Sequence, residues 1–250
     1  MGVITSDLII VLLAFYGLLA VSLIRKDTRN SIFERTWKEW IIDISSLSMQ
    51  GVFVPFAKTI FIIAGLKYLV PQLENSLQLS PLWGFLIAFV LLDYLYYWNH
   101  RLMHKKMLWP IHALHHSPKH MDVLMTSRNA LWTPFLIVYI WCHGLMFYLL
   151  KDPSSYLIGA SLTAALDLWR HTEFYPKSSP LPWRIFSKIF ITPLDHAWHH
   201  SLKGNYFNFG ANLKIWDQLH GTYLERSAKP RKIGMPIKTN LKSFLIFSRH

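Results

Sequence analysis

Long apolar runs are the feature that most restricts the folds open to this chain. The run at residues 7–24 is long enough to cross the hydrocarbon core of a bilayer as a helix. Further runs occupy residues 51–70 and 82–98, and two more, at 131–150 and 156–169, are joined by the short link KDPSS. The last two runs predict a hairpin that enters the membrane and returns to the same face. We therefore expect an all-α integral membrane bundle of three or four spans together with this hairpin.

Composition also indicates a membrane protein. The 250 residues are 52% hydrophobic and 16% charged, whereas a soluble domain carries about a quarter of charged residues. The net charge of +12 comes from Lys and Arg near the ends of apolar runs, which favours contact with anionic lipid headgroups over nucleic acid. The single cysteine, Cys142, excludes an internal disulfide and a Cys-rich zinc site. We expect no cleavable signal peptide, because no basic segment precedes the first run.

Charge predicts the orientation of the spans. Residues 25–46 carry five Lys or Arg among residues 25–38, whereas the loop at 71–80 carries none. The excess of basic residues in cytoplasmic loops therefore predicts that residues 25–46 lie in the cytoplasm and the loop on the other side. Following the runs from there places every histidine cluster on the cytoplasmic face, where we expect a histidine-rich helical cap.

Nine of the thirteen histidines fall into four short groups. HRLMH at 100–104 spaces two imidazoles four residues apart, HALHH at 112–116 and HAWHH at 196–200 repeat one pattern, and WRHTE holds a single histidine. Side chains three and four residues apart share a face of a helix, so we expect each group to direct its imidazoles at one point. The candidate metal ligands are His100, His104, His112, His115, His116, His171, His196, His199 and His200.

The number of these histidines favours two metal ions. Imidazole binds iron, copper, nickel and zinc, and a catalytic ion takes about three protein ligands. Two redox-active ions with open positions could bind and activate dioxygen, whereas zinc has no redox chemistry. The remaining histidines are interpreted as surface or structural residues: His120, His143, His220 and His250.

Three carboxylates are candidates for catalytic or supporting roles. Metal-bound imidazoles commonly donate their second N–H to a carboxylate or a carbonyl. Asp93 lies seven residues, or two helical turns, before His100, and Asp195 adjoins His196. Glu173, in the WRHTE stretch, is open to three readings: a metal ligand, a substrate contact or a surface group.

The blocks at 93–128 and 196–223 resemble the fatty acid hydroxylase and sterol desaturase superfamily of membrane di-iron enzymes. The likeness rests on the order of the three histidine motifs and on the tail NFGANLKIWDQLHGTY, while LDLWRHTEF resembles the alkylglycerol monooxygenase branch. In the tail, Asn208, Trp216 and Asp217 fall on the family's motif, and Trp216 is interpreted as structural packing.

The resemblance implies that the nine histidines hold two Fe ions and that O2 is a co-substrate. It also implies an external reductant, either tetrahydrobiopterin or an electron-transfer protein. We expect three regions: membrane spans at 1–80, a fatty acid hydroxylase-like di-iron domain at 81–225 that includes the hairpin near 131–170, and a basic tail at 226–250.

The implied activity is that of a membrane-bound di-iron oxygenase that hydroxylates a lipid C–H bond. Its most specific form acts on the ether-linked carbon of a glycerol ether lipid, and the alternative within the superfamily is a sterol or fatty acyl desaturase or hydroxylase. The non-enzymatic alternative is a histidine-rich membrane protein that binds or transports metal, and a zinc hydrolase is disfavoured because no HExxH motif is present. The expected partners are a lipid substrate, membrane lipids and an electron donor, with a substrate channel lined by Tyr94, Tyr97 and Trp98.

Overall fold

The computed structural model describes residues 2–176, 180–203, 206–236 and 241–245. This part of the chain is helical, and its extended segments pair only through three isolated bridges. The predicted all-α fold is confirmed. The main helices are α1 (Gly2–Ile24), α2 (Lys26–Phe33), α3 (Trp37–Leu69), α4 (Pro81–Met103), α5 (Val138–Leu149), α6 (Ser154–Arg170), α7 (Leu181–Ile189), α8 (Pro193–His199), α9 (Ile215–Leu219) and α10 (Leu241–Leu245).

Two of these helices, α3 and α4, are each long and apolar enough to cross a membrane, and they contain the predicted runs 51–70 and 82–98. Helix α1 contains the run 7–24 but meets α2 at a bend of 100°, and the two count as a third span only when taken together. The described residues thus hold two or three spanning helices, fewer than the upper end of our expectation. The protein is a membrane protein of helical-bundle type.

Helix α3 begins much earlier than its apolar run. Thr36 and Glu39 form a capping box that satisfies free N–H groups at the start of the helix. The 33 residues of α3 rise about 50 Å, more than the ~30 Å core of a bilayer. The first turns of α3 therefore project beyond the apolar region, and they carry the polar residues that contact the histidine-rich part of the chain.

The predicted hairpin is present, but its first arm is shorter than expected. Residues 131–137 form turns, and helix α5 begins at Val138 and has only 12 residues. The tip of the hairpin is bound to the loop 71–80, because the Leu77 amide donates to the Leu149 carbonyl at 2.8 Å and the Lys151 amide to the Leu77 carbonyl at 3.0 Å. The hairpin therefore turns at the level of that loop.

Small residues bring α6 against α4. A Cβ atom added at Gly84 would approach Ser155 Oγ to 2.3 Å, and one added at Gly159 would approach Ala88 Cβ to 2.9 Å. Glycine is required most clearly at Gly159, because the Ala88 methyl group cannot rotate away, whereas the Ser155 hydroxyl beside Gly84 can. The contact holds the returning arm of the hairpin, which ends at His171, beside the helix that carries His100.

A buried ion network joins the first turns of α3 to the segment 117–129. Arg128 donates from Nε and Nη2 to the two carboxylate oxygens of Asp43, at 2.5 and 2.7 Å. Arg35 donates from Nε to Asp43 at 2.8 Å and from Nη2 to Asp122 at 2.6 Å. Asp43, Asp122 and Arg128 are almost fully buried, so each charge depends on the others for compensation.

We expect Asp43→Ala to lower the free energy of unfolding by about 3–5 kcal/mol, because it leaves two guanidinium groups without a shared carboxylate. Thermal unfolding in detergent measures the effect. The control is Glu74→Ala, which removes the exposed partner of Lys67 and should leave the melting temperature unchanged. Equal melting temperatures for both variants would contradict the stabilising role of the network.

Candidate metal centre

The nine predicted ligands lie together in two buried groups. In each group the candidate ligand atoms all lie within 4.8 Å of one another. The five-histidine group is His100, His104, His112, His116 and His199, and the four-histidine group is His115, His171, His196 and His200. The structure thus brings together every histidine that the motifs singled out, while their role as ligands stays a prediction.

Each three-histidine motif is divided between the two groups, which corrects the expectation that each motif converges on one point. His199 belongs to the five-histidine group, whereas His196 and His200 belong to the other. Consecutive residues of an α-helix are rotated by about 100°, so His199 and His200 cannot face the same ion. The HALHH motif divides in the same way, because the adjacent His115 and His116 also point in different directions, here within a 3-10 turn at Ala113–His116.

Backbone carbonyls orient four of the imidazoles. A carbonyl only accepts hydrogen bonds, so an Nδ1 atom within hydrogen-bond distance of one must carry the proton. Neutral imidazole then has its lone pair on Nε2, free for a metal ion. The four pairs are His100 with Phe209 at 2.8 Å, His199 with Phe207 at 2.7 Å, His115 with Arg128 at 3.2 Å and His171 with Asp167 at 2.7 Å.

Two of the resulting contacts bring lone pairs face to face. Nε2 of His199 lies 3.1 Å from Nε2 of His100 in one group, and Nε2 of His171 lies 3.1 Å from Nε2 of His115 in the other. All four Nδ1 atoms donate to carbonyls, so neither contact holds a proton in the neutral state. A cation between the two nitrogens turns each repulsive contact into an attractive one. The donor set of both groups therefore fits a metal ion.

The protonation state of the site agrees with this reading. Burial, and then the neighbouring imidazoles, lower the pKa of His112 and His116 in one group and His200 in the other well below the usual value. Burial lowers the pKa of His199 to about 3. Histidines that stay neutral at physiological pH keep the lone pairs that metal ligation requires.

Asp93 does not contact His100 as predicted. Two helical turns separate the residues by about 10 Å, which a carboxylate does not bridge. Instead Asp93 accepts hydrogen bonds from the amides of Asn212 and Leu213, at 2.8 and 2.9 Å, and from Trp216 Nε1 at 2.8 Å. Asp93 therefore anchors the loop 207–213, whose Phe209 carbonyl orients His100, and acts on the site only through that loop.

Asp195 and Glu173 also lie outside the two groups. Asp195 caps α8, where it accepts from the amide of Thr192 at 2.8 Å, and it forms an ion pair with Lys214 at 2.8 Å. Glu173 forms a partly exposed ion pair with Lys229 at 2.6 Å. Its contacts thus favour the reading of Glu173 as a surface group. Neither carboxylate contacts a candidate metal ligand, so the contacts do not support the predicted catalytic roles.

The tail motif is structural, and it supports the same loop. Asp217 accepts from the amides of Phe209 and Gly210, both at 2.8 Å. Asn208 adopts a left-handed backbone with a φ of 58°, and its side chain donates to the Asp195 carbonyl at 3.1 Å. These bonds fix the positions of the Phe209 and Phe207 carbonyls, which orient His100 and His199.

The segment after residue 226 packs onto the histidines. The Gly234 amide donates to the His200 carbonyl at 3.1 Å, and the Met235 amide donates to the His116 carbonyl at 2.7 Å. Gly234 has a φ of 90°, and a Cβ atom there would approach the Pro118 carbonyl oxygen to 2.6 Å. Residues 226–236 therefore contribute to the cap, whereas most of the predicted basic tail beyond them lies outside the described residues.

One carboxylate beside the site was missed. Asp167 lies 3.3 Å from Nδ1 of His171 and pairs with Arg170. Its position four residues before His171 on one helix face is a signal that the sequence contained. Asp167 is thus the carboxylate that contacts a candidate ligand.

The histidines that were not assigned as ligands lie outside both groups where the structure describes them. His143 pairs through Nδ1 with the Tyr156 hydroxyl at 2.7 Å, His220 stacks on Tyr97, and His120 is exposed. His250 lies outside the described residues.

A cavity of about 680 Å³ opens beside both groups, lined by His112 from one and by His115 and His171 from the other. Tyr96 and Tyr139 also line it, whereas the predicted Tyr94, Tyr97 and Trp98 do not, because they face the tail motif and His220 on another side of α4. The apolar wall includes Val11, Leu12, Phe15, Leu47, Val54 and Ile140.

Comparison with known proteins agrees with the site. The family model described as Fatty acid hydroxylase matches residues 85–222, more than half of the chain. The chain belongs to the fatty acid hydroxylase family, as the histidine motifs predicted.

Curated relatives include the ornithine lipid hydroxylase OlsE of Rhizobium tropici, which is 33% identical over 81% of this chain and 64% of its own length. The alkylglycerol monooxygenases of Xenopus tropicalis and Homo sapiens are 27% and 30% identical, each over 60% of this chain and 32% of their own length. The chain thus spans less than two thirds of each of these relatives. No solved structure matches the chain.

We expect the iron-loaded protein to hold two ions per chain, measured by elemental analysis. His199→Ala and His196→Ala each remove a candidate ligand from a different group, so each variant should bind one of its ions more weakly and hold fewer than two. The control His120→Ala, which changes an exposed histidine, should keep both. Two ions in all three variants would contradict the assignment of these histidines as ligands.

Proposed function

We propose that this protein is a membrane-bound lipid oxygenase that holds one iron ion in each histidine group. Family membership and the two groups support the metal chemistry, but the observation that carries the proposal is the cavity beside both groups. Its walls are largely apolar, and it joins the candidate metal ligands to residues of α1 and α3 that lie within the apolar part of the molecule. This arrangement suits a lipid whose C–H bond is oxidised at the metal end.

Bound iron would supply the redox chemistry: one atom of O2 enters the C–H bond and the other leaves as water, with two electrons and two protons from an external donor. The chain's own residues do the rest. The imidazoles would hold the ions, and the carbonyls of the loop 207–213 orient two of these rings, His100 and His199. The apolar walls bind the lipid tail and exclude water.

The cavity meets the membrane-facing surface between α1 and α3. Leu12 and Tyr16 of α1 are 41% and 62% exposed, Gly51 of α3 is exposed, and all three line the cavity. Exposed side chains that also line an interior space mark an opening. We propose that a lipid tail enters through this portal directly from the bilayer.

The substrate proposal follows the relatives' names, which specify an ornithine lipid and an alkylglycerol. We propose a polar lipid, with the ether-linked carbon of a glycerol ether lipid as the first candidate and fatty acyl or sterol oxidation as the alternative. The reductant is proposed to be tetrahydrobiopterin or an electron-transfer protein. We also propose that the metal centre faces the cytoplasm, because the Lys- and Arg-rich segment 25–46 lies at the same end of the bundle.

Metal transport is the less favoured alternative. A transport path requires ligands at several depths along the spans, but the nine histidines form two closed groups in one place. The four-histidine group lies within turns and helices of the cap and the end of the hairpin. This placement suits ions that stay bound.

The test is oxidation of lipids by the purified, iron-loaded protein with a reductant and ¹⁸O-labelled O2. The panel holds an alkylglycerol, an ornithine lipid, a fatty acyl lipid and a sterol, with products identified by mass spectrometry. We expect one labelled oxygen in a lipid product, no product with His196→Ala, and normal product with His120→Ala. Iron-loaded protein that oxidises none of the four would overturn the proposal, and metal flux in proteoliposomes would support transport instead.

Substitution of Gly51 tests the entry route. A Cβ atom added there meets no other atom within 4 Å, so a Gly51→Phe side chain can begin in open space at the portal and obstruct it. We expect at least a tenfold loss of kcat/KM with both ions retained. The control, Gly65→Phe, lies on the same helix in equally open space and away from the cavity, and it should keep full activity. Equal activity of the two variants would place the entrance elsewhere.

A further inference from the structure

Two buried side-chain oxygen atoms at the histidine end of the cavity are without a hydrogen-bond partner in the part of the chain that the structure describes. Thr126 Oγ1 and Asn129 Oδ1 are buried oxygen atoms without a partner among the described residues. Both residues line the same cavity as His115 and His171. Thr126 is only 8% exposed. Buried polar atoms without partners are costly, so this pair points to a polar group on a ligand.

The pair lies directly beside the four-histidine group. The carbonyl of Arg128, the residue before Asn129, accepts the hydrogen bond from His115 Nδ1 at 3.2 Å. A ligand group bound by Thr126 and Asn129 is therefore next to the ions that the neighbouring imidazoles would hold. If the ligand is a lipid substrate, the carbon that is oxidised is therefore close to its polar group and not far along its apolar tail.

The segment that carries the pair is rigidly held. Arg128 is fixed by two hydrogen bonds to Asp43, and the Ser46 hydroxyl donates to the Asn129 carbonyl at 3.4 Å. Both partners are on α3, the helix that also forms a wall of the cavity. The two oxygen atoms are thus preorganised, which lowers the entropic cost of binding.

Several other polar groups of the cavity are already engaged. His143 pairs with the Tyr156 hydroxyl, and the Lys58 ammonium lies 5.8 Å from the centre of the Phe147 ring. Thr163 Oγ1 accepts from Asn212 Nδ2 at 2.8 Å. The Tyr139 hydroxyl also lines the cavity without a partner among the described residues, but Thr126 and Asn129 flank Arg128, whose carbonyl orients His115.

We propose that Thr126 and Asn129 form a polar subsite that binds the head group of the substrate. An amide oxygen accepts hydrogen bonds only, and a threonine hydroxyl both accepts and donates. The matching ligand is a lipid whose head group carries O–H or N–H donors next to the carbon that is oxidised. This inference rests on the proposed lipid oxygenase, and it adds the residues that select a donor-bearing head group over a head group without donors.

The experiment measures equilibrium binding of two probes to the iron-loaded protein in nanodiscs. One probe is 1-O-hexadecylglycerol, and the other is its di-O-methyl derivative, which keeps the tail and the ether oxygen but has no donors. We expect the unmodified protein to bind the free diol about tenfold more tightly, as one or two hydrogen bonds to buried acceptors would give. Thr126→Val and Asn129→Leu should each reduce this preference about threefold or more, with binding of the dimethyl probe unchanged.

The control is Thr59→Val, which removes an exposed hydroxyl on α3 that bonds only within its own helix, and it should keep the full preference. Iron content of each variant reports whether the neighbouring ligands are intact. An equal preference in the Thr126 and Asn129 variants, no preference in the unmodified protein, or no binding of either probe overturns the inference. Preferential binding without any oxidation would keep the subsite and overturn only the oxygenase proposal.

Discussion

The arrangement of the cap depends on imidazole lone pairs that face each other. Nine imidazole rings are packed into two groups, and in each group one pair of Nε2 atoms lies 3.1 Å apart while the Nδ1 atoms of both rings donate to carbonyls. Such contacts are unfavourable without a cation between them. The rings stay in these unfavourable positions because backbone carbonyls and the surrounding packing hold them there. The cap is thus a rigid receptor for positive charge built from uncharged groups.

The orientation comes from the backbone, which in turn is anchored by carboxylates that lie outside the two histidine groups. Asp93 on α4 and Asp217 on α9 bind opposite ends of the loop 207–213 through its amides. The loop then presents its carbonyls to His100 and His199. A membrane-spanning helix therefore sets the geometry of the cap, although the loop lies more than a hundred residues later in the chain.

The sequence was sufficient for the helices, the histidines and the family. Apolar runs predict spans because the bilayer requires long helices, and imidazoles at helical spacing predict a metal centre. The division of HALHH and HAWHH between two groups was missed because the shared-face argument treated the three histidines of each motif alike, although adjacent histidines point in different directions. The groups that accept hydrogen bonds from the histidine Nδ1 atoms were missed for a different reason. They are main-chain carbonyls, which every residue type carries, so the sequence does not identify them.

The separation of the ligands along the chain has a consequence for the synthesis of the protein. His100 contacts His199 across 99 residues, and the amides of Gly234 and Met235 later close over His200 and His116. Chains are made and begin to fold from the amino terminus, so the first ligands leave the ribosome long before their partners exist. A metal ion held by histidines from both parts of the chain would therefore enter only after the cap has been translated and packed against the membrane helices, which would make metal loading a late step in maturation.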